Sequence, residues 1–165
     1  MTDKPDIFLF ADFAQVPLRS GMSFSTRVAR ADDFAFLDAL YSDNMKGYVE
    51  RVGTWDPDMF RGNFEPSAIE LIEVQGDRAG FFKLVPERDS IYLAELQVGK
   101  KYQENGIGSS ILEKLIDYAG KKENLITLKV IRGNPAEFLY LRYGFRTYKK
   151  TGLHLHLSLN PSRKL

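Results

Sequence analysis

Hydrophobic positions along the chain switch repeatedly between strand-like alternation and helical spacing. "MSFSTRVAR", from Met22, alternates as a strand does and is expected to open the sheet. "ADDFAFLDALYSDNM" follows with Phe34, Leu37, Leu40, Tyr41 and Met45 at helical spacing and Asp32 and Asp33 near its start. "KGYVERVGTWD" reads as a loop, and Asp56-Pro57 as the start of a short second helix carrying Phe60 and Phe64. "AIELIEV" and "GFFKLV" flank the turn residues Gln75-Gly76-Asp77, and "PERDS" turns the chain into the strand-like run "IYLAELQV". The main helix comes next. Ile107, Ile111, Leu112, Leu115, Ile116 and Ala119 form one apolar face, and Gly120 stands where a C-terminal cap belongs.

"NLITLKVI" is a strand with Ile126, Leu128 and Val130 on one face. "NPAEFLYLRYGF" reads as a short helix that Asn134 caps, Pro135 begins and Gly144 ends. "FRTYKK" and "LHLHLSL", joined by Thr151-Gly152, close the chain. The order is strand, helices, three strands, helix, strand, helix, two strands, which predicts a mixed α/β sheet with helices on its faces. Residues 1–21 read as an N-terminal extension without an assignable role, ahead of one domain over residues 22–165.

Composition narrows the function classes. A length of 165 residues suits one domain with a well-buried core. Lys and Arg number 23 against 22 Asp and Glu, so the strongly basic face of a nucleic-acid binder is not expected. The chain has no cysteine, which excludes disulfides, thiolate nucleophiles and cysteine metal sites and fits a cytoplasmic protein. No apolar run approaches the roughly 18 residues of a membrane span. Asp6 and Asp12 interrupt the apolar start, against a secretory signal.

The candidate chemistry begins in "YQENGIGSSILEKL", a glycine-punctuated turn between a strand and a helix. Gly106 and Gly108 allow a tight turn with outward N–H groups, and the helix adds the positive end of its dipole. Such a loop suits a phosphate or pyrophosphate, the alternative being a turn that merely connects elements. A dinucleotide fingerprint fails, because Ile111 replaces its third small residue and Leu128 stands where an acidic residue belongs. A Walker-type loop also fails, because Ser109-Ser110 follows Gly108 instead of Lys and Ser or Thr.

"QENGIG", Gln103 to Gly108, fits the pattern Q/R-x-x-G-x-G/A and resembles the acetyl-coenzyme A loop of the GNAT N-acetyltransferases. "IYLAELQVGKKYQENGIGSSILEKLIDYA" resembles that family's fourth strand, loop and third helix. "LITLKVIRGNPAEFLYLRYGF" resembles its fifth strand and fourth helix. The resemblance covers residues 91–146 without a gap, whereas the N-terminal third matches only in its order of elements. "YVERVGTWD" is similar to a segment of uncharacterised bacterial members.

The resemblance implies a mixed, mostly antiparallel sheet splayed between its fourth and fifth strands, with acetyl-CoA as co-substrate and no metal. The pyrophosphate would meet the loop at Gln103, Glu104, Asn105, Gly106, Ile107, Gly108 and Ser109. The pantetheine arm would pair with the backbone of Leu96, Gln97 and Val98 and meet Asn134. Tyr140 aligns with the tyrosine that protonates the departing thiolate, its alternative being helix packing beside Leu139 and Tyr143.

An amine acceptor with a pKa near ~10.4 is mostly protonated at neutral pH and needs a base. Glu95 is the candidate, since a carboxylate among Leu93, Ala94 and Leu96 should have a raised pKa. Its alternatives are a structural ion pair or a solvated sheet face. The family often carries an acidic residue in its fifth strand, but Lys129 stands there in "TLKV". Tyr48, Glu50, Trp55 and Asp56 lie where the family builds its acceptor wall, and suit a cationic amine or a solvated loop equally. His154 and His156 share a strand face without a third metal ligand, so they read as exposed or groove-lining residues. The resemblance thus implies an N-acetyltransferase acting on a small-molecule or peptide amine, with a homodimer common in the family. The other class is a GNAT-like module that binds acyl-CoA as a sensor or scaffold without turnover.

Overall fold

The computed structural model describes residues 13–163. Among the described residues eight strands form a single sheet in the order β1-β2-β3-β4-β5-β6-β8-β7. They are β1 (Val16–Pro17), β2 (Ser23–Val28), β3 (Ile69–Val74), β4 (Asp77–Pro86), β5 (Ser90–Val98), β6 (Leu125–Ile131), β7 (Arg146–Lys150) and β8 (His154–Leu159). All neighbours run antiparallel except β5 and β6, which are parallel and joined through a helix, as a parallel pair requires. The α-helices are α1 (Phe34–Val52), α2 (Asp58–Arg61), α3 (Ile107–Lys121) and α4 (Ala136–Arg142).

Each face of the sheet carries its own core. On one face the apolar stripe of α3, with Ile107, Ile111, Leu112, Leu115 and Ala119 all buried, packs on Phe82, Leu84, Ile91, Leu93, Leu128 and Leu157. On the other face Leu37, Leu40 and Tyr41 of α1 and Phe60 of α2 cover Ile69, Leu71 and Phe81 of β3 and β4. At the start of α1 the fully buried Asp33 accepts from both terminal nitrogens of Arg27, from Arg78 Nε and from the Arg30 amide. Arg27 Nε also donates to Glu73. The network ties β2, β3 and β4 to the helix. It holds the Asp33 carboxyl far below the usual carboxylate range, the Arg27 hydrogen bonds outweighing the effect of burial.

Several boundaries differ from the sequence expectations. The segment "KGYVERV" is helical, because α1 runs on to Val52 and ends at Gly53. Buried Val49 secures that last stretch, so packing outweighs the roughly 1 kcal/mol that Gly47 costs in a helix interior. Phe64 lies beyond α2, which ends at Arg61, yet its ring packs on Phe34 at 4.8 Å between centroids. Asp77 pairs with Val74, so the β3–β4 turn is only Gln75-Gly76, both at positive φ as a two-residue hairpin requires.

Gly120 does not cap α3. The helix passes through it, and Glu123 takes the left-handed conformation while the Asn124 amide donates to the Ala119 carbonyl at 2.9 Å. The chain also enters the sheet before Met22. Val16–Pro17 pairs with β2, and Phe13 and Leu18 are buried in the core, while residues 1–12 of the expected extension lie outside the described residues. No helix among the described residues is long and apolar enough to cross a membrane.

Candidate active site

The site grows out of an irregularity in β5. Lys83 pairs with Glu95 but Leu84 with Leu93, so Ala94 is an extra residue, a β-bulge. Before the bulge Ile91 and Leu93 face the α3 core, and after it Leu96 and Val98 take over that face. Glu95 and Gln97 are thereby turned toward α1, where strict alternation would have kept them with Leu93.

At the same level β5 and β6 part company. Their pairing stops at Leu93–Leu128, although β5 continues to Val98 and β6 to Ile131. A bulge increases local twist, which accounts for the separation. The edge of β5 beyond Ala94 therefore faces a wedge-shaped opening instead of a strand. The expected splay is present, and with Val16–Pro17 counted first it falls between the fifth and sixth strands.

Backbone groups line this edge. The Val98 carbonyl is already taken, accepting from Gln103 Nε2 at 2.8 Å and Asn44 Nδ2 at 3.1 Å. Residues two apart in a strand direct their backbone groups to the same side, so Leu96 presents its N–H and C=O to the opening. Gln103, the first residue of the loop motif, thus fastens the loop to the end of β5.

The loop from Gly99 to Gly106 then curls before α3. Glu104 (φ 62°) and Gly106 (φ 93°) are both left-handed, and Ser110 donates the first helical bond, to the Gly106 carbonyl. The amides of Ile107, Gly108 and Ser109 precede that bond and have no acceptor within the helix. Asn105 Nδ2 braces the curl on the Tyr102 and Gln103 carbonyls, each at 3.3 Å. A Cβ on Gly108 would lie 3.4 Å from Leu139 Cδ2, so the bare glycine lets the tip of α3 sit close to α4. These free amides beside the open strand edge fit a pyrophosphate with an extended arm, the donor that the loop motif implies.

Glu95 is half-buried at the mouth of the opening. Its Oε2 accepts from Gln97 Nε2 at 3.0 Å, and Gln97 Oε1 accepts in turn from Asn44 Nδ2 of α1 at 3.1 Å. Desolvation raises its pKa to about 7, outweighing the Gln97 bond and the charge of Lys83 opposite. Three tyrosines feel its charge. Tyr41, Tyr92 and Tyr140 are all pushed up, chiefly by burial and next by Glu95, Tyr41 to about 12.

Tyr140 is 7% exposed in α4 with its ring 5.8 Å from Phe145, so it does pack the helix. No hydrogen bond engages its hydroxyl among the described residues, where every fully buried side-chain polar atom has a partner. The hydroxyl therefore reaches solvent as a protonated donor.

Asn134 Oδ1 accepts from the Ala136 amide at 2.9 Å and caps α4 as expected. Trp55 packs on Tyr41 with ring centroids 5.8 Å apart, and Tyr48, half-buried, lies one turn beyond Asn44 on α1. Two acidic wall candidates are otherwise engaged: Glu50 pairs with Lys46 at 3.9 Å, and Asp56 Oδ1 accepts the Asp58 amide at 2.9 Å. Tyr41, Tyr92 and Asn44 were not singled out in the sequence, where Tyr41 reads only as one more apolar position of a helix. His154 and His156 lie with ring centroids 6.3 Å apart. Among the described residues no group of three or more potential ligands could hold a metal.

The family model described as an acetyltransferase (GNAT) domain matches residues 35–164. Among solved structures, the PaiA N-acetyltransferase of Thermoplasma acidophilum in complex with coenzyme A superposes with a TM-score of 0.68 at 17% identity, over 84% of this chain and 99% of that one. The ribosomal-protein-S18-alanine N-acetyltransferase of Escherichia coli gives 0.59 at 21% identity, over 86% and 96%. Arabidopsis thaliana Naa50, in complex with the bisubstrate analogue CoA-Ac-MVNAL, gives 0.61 at 17% identity, over 83% and 98%. At these identities the likeness speaks for the fold.

Proposed function

Because the chain belongs to the GNAT acetyltransferase family, we propose that it moves the acetyl group of acetyl-CoA onto a primary amine, by direct transfer at the mouth of the β5–β6 opening. The observation that carries this reading is Glu95, a carboxyl with a pKa of about 7 beside the unpaired strand edge and the free-amide loop. When bound, acetyl-CoA supplies the reactive thioester. The amides of Ile107 to Ser109 and the loop at Gln103 to Gly106 would hold its pyrophosphate. The Leu96 backbone and the Val98 amide would align its arm, with Asn134 at the far wall, whereas the Gln97 backbone is paired to β4 and faces away from the opening.

The remaining work falls to side chains. An alkyl ammonium must lose a proton before its nitrogen can form the C–N bond, a penalty of roughly 4–5 kcal/mol at neutral pH. Glu95 takes that proton, directly or through a water, and Gln97 keeps the carboxyl oriented. As the C–S bond breaks, the Tyr140 hydroxyl gives its proton to sulfur. Tyr41, Tyr92, Trp55 and Tyr48 form an aromatic wall for the acceptor, a small molecule or peptide.

The neighbours whose complexes contain coenzyme A or a CoA-peptide analogue support this reading. Thiol release from acetyl-CoA across a panel of amines tests it, with mass spectrometry of the products. Amine-dependent release matched by an acetylated amine is expected. Tight acetyl-CoA binding with no turnover on any amine would instead mark an acyl-CoA-binding module.

A further inference from the structure

The sheet face beyond Glu95 carries positive charge that no ion pair among the described residues neutralises. β6, β7 and β8 contain no Asp or Glu. On the α1 side of these strands Lys129 stands directly opposite His156, and His156 opposite Lys149. His154 follows on β8, and Arg146 faces Ser158. Lys129, Arg146 and Lys149 enter none of the ion pairs among the described residues. Lys129 Nζ lies over the Tyr92 ring at 5.8 Å, and the exposed Tyr148 ring stands 6.1 Å from His156. Both imidazoles are pushed below their ordinary pKa, by burial first and by Lys129 next.

The patch is placed for the acceptor and not for the donor. It shares the sheet face of Glu95 and Gln97, whereas α3 and its loop cover the opposite face. The turn before β8 approaches the end of α1, where Leu153 Cδ1 lies 3.7 Å from the position a Cβ on Gly53 would take. Glu95, Lys129 and His156 thus share one sheet face across β5, β6 and β8.

We propose that the acceptor is an amine that also carries an anionic group, a carboxylate or phosphate, with its nitrogen at Glu95 and its anion over Lys129, His156 and Lys149. This rests on the acetyl-transfer reading above. Glu95 on β5 and His156 on β8 have β6 between them, and β5 and β6 are splayed at this level, so the amine and the anion sit roughly 10 Å or more apart.

The test compares n-hexylamine, 1,6-diaminohexane, 6-aminohexanoate and 5-aminopentyl phosphate as acceptors for the full chain, wild type and Lys129→Glu. Both anionic amines are expected to exceed hexylamine by about tenfold or more in kcat/KM, and Lys129→Glu to erase that preference. The ratio between them tells which anion fits better. Equal or better turnover of hexylamine or diaminohexane, or a preference that survives Lys129→Glu, overturns the proposal. If no amine is acetylated, calorimetric titration with 6-acetamidohexanoate decides separately. Binding lost in Lys129→Glu keeps the anion site and retires acetyl transfer, and no binding retires the site.

Discussion

Glu95 and Tyr140 divide the proposed chemistry, and each makes a separable prediction. Tyr140→Phe removes a hydroxyl that makes no hydrogen bond among the described residues. Thermal stability should change by less than about 1 kcal/mol. By contrast kcat should fall about 10²-fold with acetyl-CoA affinity unchanged. A stability loss without a rate loss would return Tyr140 to helix packing.

Glu95 has a folded-state pKa raised to about 7, above its ordinary value, so its charged form opposes folding. The stability linked to its neutral form is present at acid pH and lost as pH rises through 7. Glu95→Gln should therefore raise the unfolding free energy at pH 8, by on the order of 1–3 kcal/mol, and leave it unchanged at pH 4. The same variant should lower kcat/KM and flatten its rise toward a plateau above pH 7, read from a pH–rate profile. That Glu95 would be perturbed was legible from its apolar neighbours in "LAEL". Its direction was not, because the inserted Ala94 changes the facing of everything after it, and a bulge leaves no fixed letter in a single sequence.

At the scale of elements, the site depends on how closely β4 and β5 approach. A Cβ on Gly80 would stand 2.3 Å from the Gln97 carbonyl oxygen, against backbone that cannot swing aside. Gly80→Ala should cost about 2–4 kcal/mol in denaturant unfolding and displace Gln97, so activity should fall with stability. Unchanged stability would show that the strands can separate without loss.

The helices show where periodicity succeeds and where it stops. The stripe of α3 from Ile107 to Ala119 was legible, because six apolar positions at helical spacing have one way to be buried together. Its end was not: Glu123, not Gly120, takes the left-handed cap, and tertiary packing chose between them. Likewise α1 runs seven residues past Met45, held by Val49 in a stretch too polar to announce itself.

For the whole molecule, the Arg27–Asp33–Arg78 network joins β2, β4 and the start of α1. Asp33 has a pKa lowered by its Arg27 hydrogen bonds, so its contribution to stability is present above the ordinary carboxylate range and is lost as pH falls through and below that range. Asp33→Asn should destabilise the fold by about 3 kcal/mol at pH 7, with the difference from wild type shrinking in acid. A constant difference across that range would assign the loss to packing instead of charge. In the sequence Asp33 showed only as a helix-start residue, since its arginine partners come from distant strands. The fold class and the glycine turn ahead of α3 were legible because they rest on contiguous runs. The opening between β5 and β6 was carried by the family resemblance, whereas the tyrosines around Glu95 and the basic face across β8 are assembled by topology.

The central claim is that the loop and the adjoining strand edge bind acetyl-CoA through their backbone. Gly106 tests it most directly, because at φ 93° any branched residue is strained, while an added Cβ meets nothing within 4 Å. Isothermal titration of acetyl-CoA into wild type and Gly106→Val, both confirmed folded, should show saturable binding that the substitution weakens by about 30-fold or more, near 2 kcal/mol. No binding to wild type, or equal affinity in the two proteins, would contradict the account.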